Sequence, residues 1–352
     1  MTDPHSSQQY LDEAYQRLHA TGPEFEDWLS NHGPMAVEAL IRSGHGDSVQ
    51  RWIDDYLRRL EDYPPAYKAI TADNWREALG DPRRLSDWPA WFRRELAEAE
   101  WTNVLARWWP TLMTGVAASA THGVIRVGHA VRTLRELGPN SLRLEELAQA
   151  LGYWAARWQP LVEVTAPAGD LDATMALAQV PAVPDQALGI NHRFDQLGHL
   201  SQWPRSQAAI RPIHTADQAP DFLKEVVGAA VGRYVTHGHG SGVMLVHAAT
   251  APNAVLRTLP SLPVEQWKSS AAAAWTASAA VQAAYAPATA APSDVLPPVP
   301  SGADVVGDVV DRAVWHGDEH VIKFADTARD VYDWTGDGLA LAAATRATQL
   351  IG

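Results

Sequence analysis

The sequence predicts an all-α, or nearly all-α, fold: a single multi-helical domain with a Pro-rich irregular excursion in its middle. Three observations carry this. Apolar residues recur at three- and four-residue intervals along most of the chain. Alternating β-branched runs closed by hairpin turns, which strands require, are scarce. Gly and Pro sit where helices would start and stop. The chain has 352 residues, 46% of them hydrophobic and 20% charged, an ordinary globular composition with ample material for a core. Length alone allows two domains, but no linker is convincing enough to cut the chain. The expected organisation is therefore a lead-in and first helix over 1–20 and one all-α domain over 21–352.

Taken in order, residues 11–18 read as a short amphipathic helix. Gly33-Pro34 opens a helix over 35–43, with Gly44 as its C-cap. Residues 49–60 put Trp52, Ile53, Tyr56, Leu57 and Leu60 on one face and charged residues on the other. A long helical segment over 88–108 is expected to bend near Pro89. The next, over 113–137, is the most apolar of the N-terminal half and is stopped by Gly138-Pro139. Ser141 is positioned to cap a helix over 141–158, with Glu145 and Glu146 in its first turn. The excursion covers about 160–220 and carries repeated prolines, so only short helices are expected there. Helices resume over 221–235, over 242–259, where Pro252 should break or kink the chain, and over 264–285. A Pro/Ala-rich loop spans 286–302, and helices over 304–332 and 339–350 finish the chain.

Composition excludes several functions. There is no Cys, so thiolate zinc sites, iron–sulfur clusters and cysteine nucleophiles are ruled out. A formal net charge of −13 makes the chain a poor partner for nucleic acid or an anionic membrane. No run approaches the roughly 20 apolar residues of a membrane span, and no basic-then-apolar leader is visible. A cytoplasmic location is the expectation. The odd numbers are 14 His and 15 Trp. Any metal site here must use nitrogen and oxygen donors.

Most of the histidines lie in loops or polar sequence. The His-x-His pair His237 and His239, in the Gly-rich turn THGHGSG, is a weak chelating candidate. Others interrupt apolar helical runs: His32 in NHGPMAVEAL, His122 and His129 in THGVIRVGHAVR, His247 in VMLVHAAT and His320 in WHGDEHVIKFAD. One such histidine is usually a core residue bonded to a backbone carbonyl. Several together are harder to satisfy singly, because each buried imidazole without a partner costs free energy, and a shared metal satisfies many at once. His320 and Lys323 stand at i, i+3 and share a helix face, as do His122, Arg126 and His129. Two turns, about 10.5 Å of rise, separate His122 from His129. His129 therefore ranks below His122 as a direct ligand and is the better candidate for a substrate-facing or supporting role. Arg126 is either catalytic or paired structurally with an acid. A lysine beside ligand histidines repels a cation unless it is neutral or has become a carbamate. Most tryptophans read as core residues, and Trp315, five residues before His320, is the one expected to line a pocket.

THGVIRVGHAVR resembles the His-Gly-hydrophobic-Ile-Arg-x-x-His-Ala signature of the questin oxidase-like family. NHGPMAVEALIRSG, VHAATAPNAVLR and DEHVIKFADTA resemble three further segments of that family, in the same order along the chain. The resemblance implies an oxidoreductase that opens rings of anthraquinone-like aromatic polyketides with O₂, with a Baeyer–Villiger or dioxygenase outcome. It implies a mononuclear non-haem Fe(II) held by His32, His122, His247 and His320 together with a carboxylated Lys323. His129 stands in if one of the four is wrong. Arg126 and His129 are then the catalytic candidates. No G-x-G-x-x-G or Walker A sequence is present, so a flavin mechanism has no support, while NADPH stays open as a soluble reductant.

Two other readings compete. A carbamylated lysine with histidines also serves metal-dependent hydrolases, but their β/α barrel needs alternating strands that this sequence lacks. A non-catalytic helical binding protein would use the same histidines merely as core.

Overall fold

The computed structural model describes residues 4–26, 28–161 and 164–352. The expected fold class holds. Among the described residues the regular structure is helical, and the β-structure is one two-stranded hairpin, β1 (Glu24–Phe25) with β2 (Leu29–Ser30), and three isolated bridges. The barrel that a carbamate hydrolase would need has no counterpart among them. No helix among the described residues is long and apolar enough to cross a membrane.

The chain divides into two compact units, Met1–Pro160 with Pro260–Pro263, and Leu161–Leu259 with Val264–Gly352. The first unit holds α1 (Pro4–Leu18), α2 (Gly33–Arg42), α3 (Val49–Tyr56), α4 (Trp75–Ala78), α5 (Asp87–Glu98), α6 (Trp101–Met113), α7 (His122–Leu137) and α8 (Ser141–Ala156). In it α8 packs on α5 and α7, and α2 on α1 and α7. Trp88, Trp109 and Trp154 are fully buried there. Gly123 of α7 lets α8 approach closely, because a Cβ on it would fall 2.5 Å from the Trp154 ring.

The second unit holds α9 (Ala173–Ala178), α10 (Ile190–Asp195), α11 (Trp203–Ala208), α12 (Ala219–His237), α13 (Gly242–Leu245), α14 (His247–Thr258), α15 (Trp267–Tyr285), α16 (Val305–His316), α17 (Glu319–Thr335) and α18 (Leu339–Leu350). The short α9, α10 and α11 fall inside the Pro-rich stretch, as its composition predicts. Helices α12, α14 and α15 pack on one another, and α17 packs on α18.

Several boundaries differ from the sequence reading, each for a local reason. Pro89 does not bend a helix. It lies in the first turn of α5, where its missing amide costs nothing, and the break falls later, where Ala99 and Glu100 leave the helical region. Asn140, not Ser141, caps α8, with its side-chain oxygen 2.9 Å from the Arg143 amide. Gly317, at φ 82°, and the Asp318 cap split 304–332 into α16 and α17. Pro252 stays inside α14, and the helix breaks instead at Val246. The largest difference is the apolar run 113–137. Ser119, Ala120 and Thr121 have φ of 45°, 57° and 70°, so the chain turns left-handed there and α7 starts only at His122.

Candidate metal centre

The four histidines of the motifs share a position that periodicity did not reveal. His32 is the N-cap of α2, His122 the first residue of α7, His247 the first of α14 and His320 the second of α17. All four are buried. The positive end of a helix dipole disfavours protonated imidazole, so these positions favour neutral rings with a lone pair to offer.

In the first unit, His32 and His122 meet edge to face, with Nε2 atoms 2.7 Å apart. Nδ1 of His122 donates to the carbonyl of Ser119. The three left-handed residues 119–121 bring that carbonyl back onto the ring. Each non-Gly residue in this conformation costs about 1–2 kcal/mol, and such strain persists only where surrounding contacts over-determine it. The Tyr56 hydroxyl accepts a 2.6 Å bond from the His32 amide.

One and two turns along α7 the side chains do other work. Arg126 is buried, and its Nε and Nη2 donate to Glu146 at 2.7 and 2.9 Å. Glu146 also meets Nε2 of His19 at 2.8 Å. Burial alone would raise the Glu146 carboxyl, but Arg126 brings it below its usual range. This is the structural pairing weighed for Arg126, with the carboxylate taking the Nε/Nη2 edge of its guanidinium. His129 lies against Glu38 of α2, with Nδ1 2.7 Å from Oε2, and Arg132 closes on the same carboxylate. Sequence reading missed Glu38. The available signal was a lone acid inside the apolar run AVEAL.

In the second unit, the His247 and His320 rings lie 5.7 Å apart, tilted by 67°. Nδ1 of His247 donates to the Met244 carbonyl at 3.0 Å. Burial, with the nearby Lys323 and His320, pushes this imidazole well below its usual pKa, so it is neutral. Asp318 caps α17 and orients His320 at the same time. Its Oδ1 accepts from the His320 amide at 2.7 Å and from His320 Nδ1 at 3.2 Å. Lys323 is fully buried, 1% exposed, and burial brings its amine down to about 7 against the opposing pull of Glu319 and Asp318. A large fraction of it is therefore uncharged near neutral pH.

Two sequence expectations find no support in this arrangement. Trp315 lines no buried pocket. It sits in the last turn of α16, its side chain is 90% exposed, and the left-handed Gly317 then reverses the chain before His320. His237 and His239 fall in none of the metal-holding groups found among the described residues. Nδ1 of His237 is bonded instead to Thr236 Oγ1 at 2.7 Å.

The fit of a metal can be read from where the second ring nitrogens go. A carbonyl or carboxylate oxygen only accepts, so Nδ1 carries the proton in His122, His247 and His320, and Nε2 presents its lone pair. That is the pattern of ligating histidines held by an outer partner. The 2.7 Å between the two Nε2 atoms of the first unit is near the spacing of about 3 Å for two ligands at right angles, each about 2.1 Å from a metal. Within each unit, His32 with His122 and His247 with His320 are thus buried imidazole donors of the kind that hold a transition-metal ion.

Fold and side chains define the class: an all-helical protein with paired, buried histidines at helix N-termini. Residues 30–151 of the chain match the model of the Questin oxidase-like family. That range contains the first two histidine motifs, so the family read from them is supported over this stretch. No curated protein matches the chain.

Proposed function

We propose that this protein is an oxidoreductase of aromatic polyketide metabolism that opens a ring of an anthraquinone-like substrate with O₂ at a mononuclear non-haem iron centre. The observation that carries it is the set of three buried histidines whose Nδ1–H is fixed by an oxygen acceptor, leaving Nε2 as a donor. His32, His122, His247 and His320 would hold the ion, and Lys323, as a neutral amine or as its CO₂ adduct, would supply a further donor. Bound there, Fe(II) supplies O₂ binding and one-electron chemistry.

The chain's own residues do the rest. Asp318 keeps the His320 ring in one orientation and one tautomer. The Ser119 carbonyl does the same for His122. His129 is the general base of this reading: with Nδ1–H held by Glu38, its Nε2 takes a phenolic proton, and the Glu38 charge stabilises the imidazolium formed. Arg126 acts through Glu146 by fixing α7 to α8. NADPH remains the candidate soluble reductant.

The test is metal analysis of protein purified without chelator, with anomalous diffraction at the iron edge. One iron per chain and extra density on Nζ of Lys323 are expected. Two zinc ions per chain, or full metal content in both His122→Ala and His320→Ala, would overturn the assignment.

A further inference from the structure

Tyr153 is buried on α8 and takes no part in the chemistry just described. Its hydroxyl nevertheless collects three partners. It donates to Glu24 Oε1 at 3.1 Å and accepts from Ser30 Oγ at 2.5 Å, and the Ser119 side chain lies near enough to act on it electrostatically. A phenol oxygen has one proton and two lone pairs, so one lone pair is left to serve Ser119. Ser30 stands two residues before His32, and Ser119 three before His122. The same two histidines bring their Nε2 atoms to 2.7 Å.

Neither approach segment lies in a helix. Ser30 ends a two-residue strand, and His32 enters α2 without a side-chain cap. Ser119 opens the three-residue left-handed run whose strain needs an outside restraint. Glu24 is itself gripped by Arg157 through a 2.7 Å bond to Nε, which ties the arrangement back to the end of α8.

We infer that Tyr153 is a positioning residue: one hydroxyl on α8 clamps the two segments that deliver His32 and His122, and so sets the separation of their Nε2 atoms. The inference rests on the metal reading above for its consequence and on geometry alone for the clamp.

Tyr153→Phe removes one oxygen and keeps the ring. Tyr15→Phe is its control, since the Tyr15 hydroxyl bonds Thr133 on α7, away from both approach segments. Two readouts are taken. Fe(II) affinity should fall by about 10- to 100-fold in Tyr153→Phe and by less than about twofold in Tyr15→Phe. In metal-free protein, imidazole ¹⁵N spectra should show changed tautomer populations at His32 and His122 in Tyr153→Phe only. If Tyr153→Phe does not fold, Ser119→Ala removes a single contact of the clamp and should move the His122 signals. Unmoved histidine signals in whichever variant folds, or equal losses in both tyrosine variants, overturn the clamp. If the unaltered protein binds no iron, the metal reading fails, and the metal-free spectra still decide the clamp.

Discussion

Glu38 accepts a 2.7 Å hydrogen bond from Nδ1 of His129, joining α2 to α7 through a carboxylate that is almost wholly buried. Burial by itself would raise this carboxyl, yet the Arg132 guanidinium and His129 more than offset that and hold it at about 2. Its ordinary value is 4.5, so the folded state binds this proton less readily than the unfolded chain. The stabilisation is fully present above about 4.5 and is lost as pH falls through about 2, on the order of 3 kcal/mol. Denaturant unfolding followed between about pH 6 and pH 2.5 should show that decline. Glu38→Gln should flatten it and lower stability near neutral pH by several kcal/mol, since Arg132 is left buried without its charge partner. An unchanged pH slope in Glu38→Gln would assign the decline to other carboxyls.

How far this site was legible in the sequence depends on which atoms carry it. The helical class was legible because burial imposes the 3.6-residue period along most of the chain. The histidines were legible as imidazoles in apolar surroundings. Their common place at helix N-termini was not, because a left-handed run such as 119–121 carries no Gly or Asn to announce it. Asp318 and Gly317 were visible as a cap and a stop, but 304–332 was read as one helix across them. Trp315 was misjudged for the same reason: its spacing from His320 suggests a shared neighbourhood only if no turn intervenes. Glu38 showed only as a lone acid in an apolar run, because its partner His129 and the Ser30 partner of Tyr153 lie far away in sequence, where no local pattern reaches.

Ser278 of α15 answers a defect created by Pro252. Proline has no amide to offer the Ala248 carbonyl four residues earlier. Ser278 Oγ donates to that carbonyl instead, at 2.7 Å, and is itself wholly buried. Helix α14 therefore continues past Pro252, with His247 at its start. Ser278→Ala should strand a buried carbonyl and cost about 1–3 kcal/mol, read as a lower denaturation midpoint. The double variant with Pro252→Ala restores the amide, so it should recover part of the loss. Equal destabilisation with and without Pro252 would show that the serine does not compensate the proline.

Gly123 follows His122 because α8 leaves no room for more. A Cβ there would lie 2.5 Å from Cγ of Trp154, a fully buried ring whose Nε1 donates to the Gly115 carbonyl at 2.9 Å. Gly123→Ala must shift the first turn of α7 or the Trp154 ring, at about 1–3 kcal/mol for overpacking. Because that turn carries His122, iron content should fall along with stability. Trp154→Phe in the same chain makes space and should restore both. Full iron binding in Gly123→Ala would show that the ring yields and the turn does not.

Arg126 separates a structural role from a catalytic one by a clean pair of measurements. Its two bonds to Glu146 are buried, and Glu146 also meets His19. Arg126→Met leaves a buried carboxylate beside a single histidine, and Glu146→Gln leaves a buried guanidinium. Each should cost about 3–5 kcal/mol, whereas the double variant Arg126→Met with Glu146→Gln removes both charges and should cost less than either. Iron content and turnover measured well below the melting transition should be nearly unchanged in the double variant if the pair acts only on each other, bonded through one edge of the guanidinium. Were turnover to collapse in the double variant while its melting temperature held, Arg126 would have to touch the reacting molecule, and the structural pairing with Glu146 would be secondary.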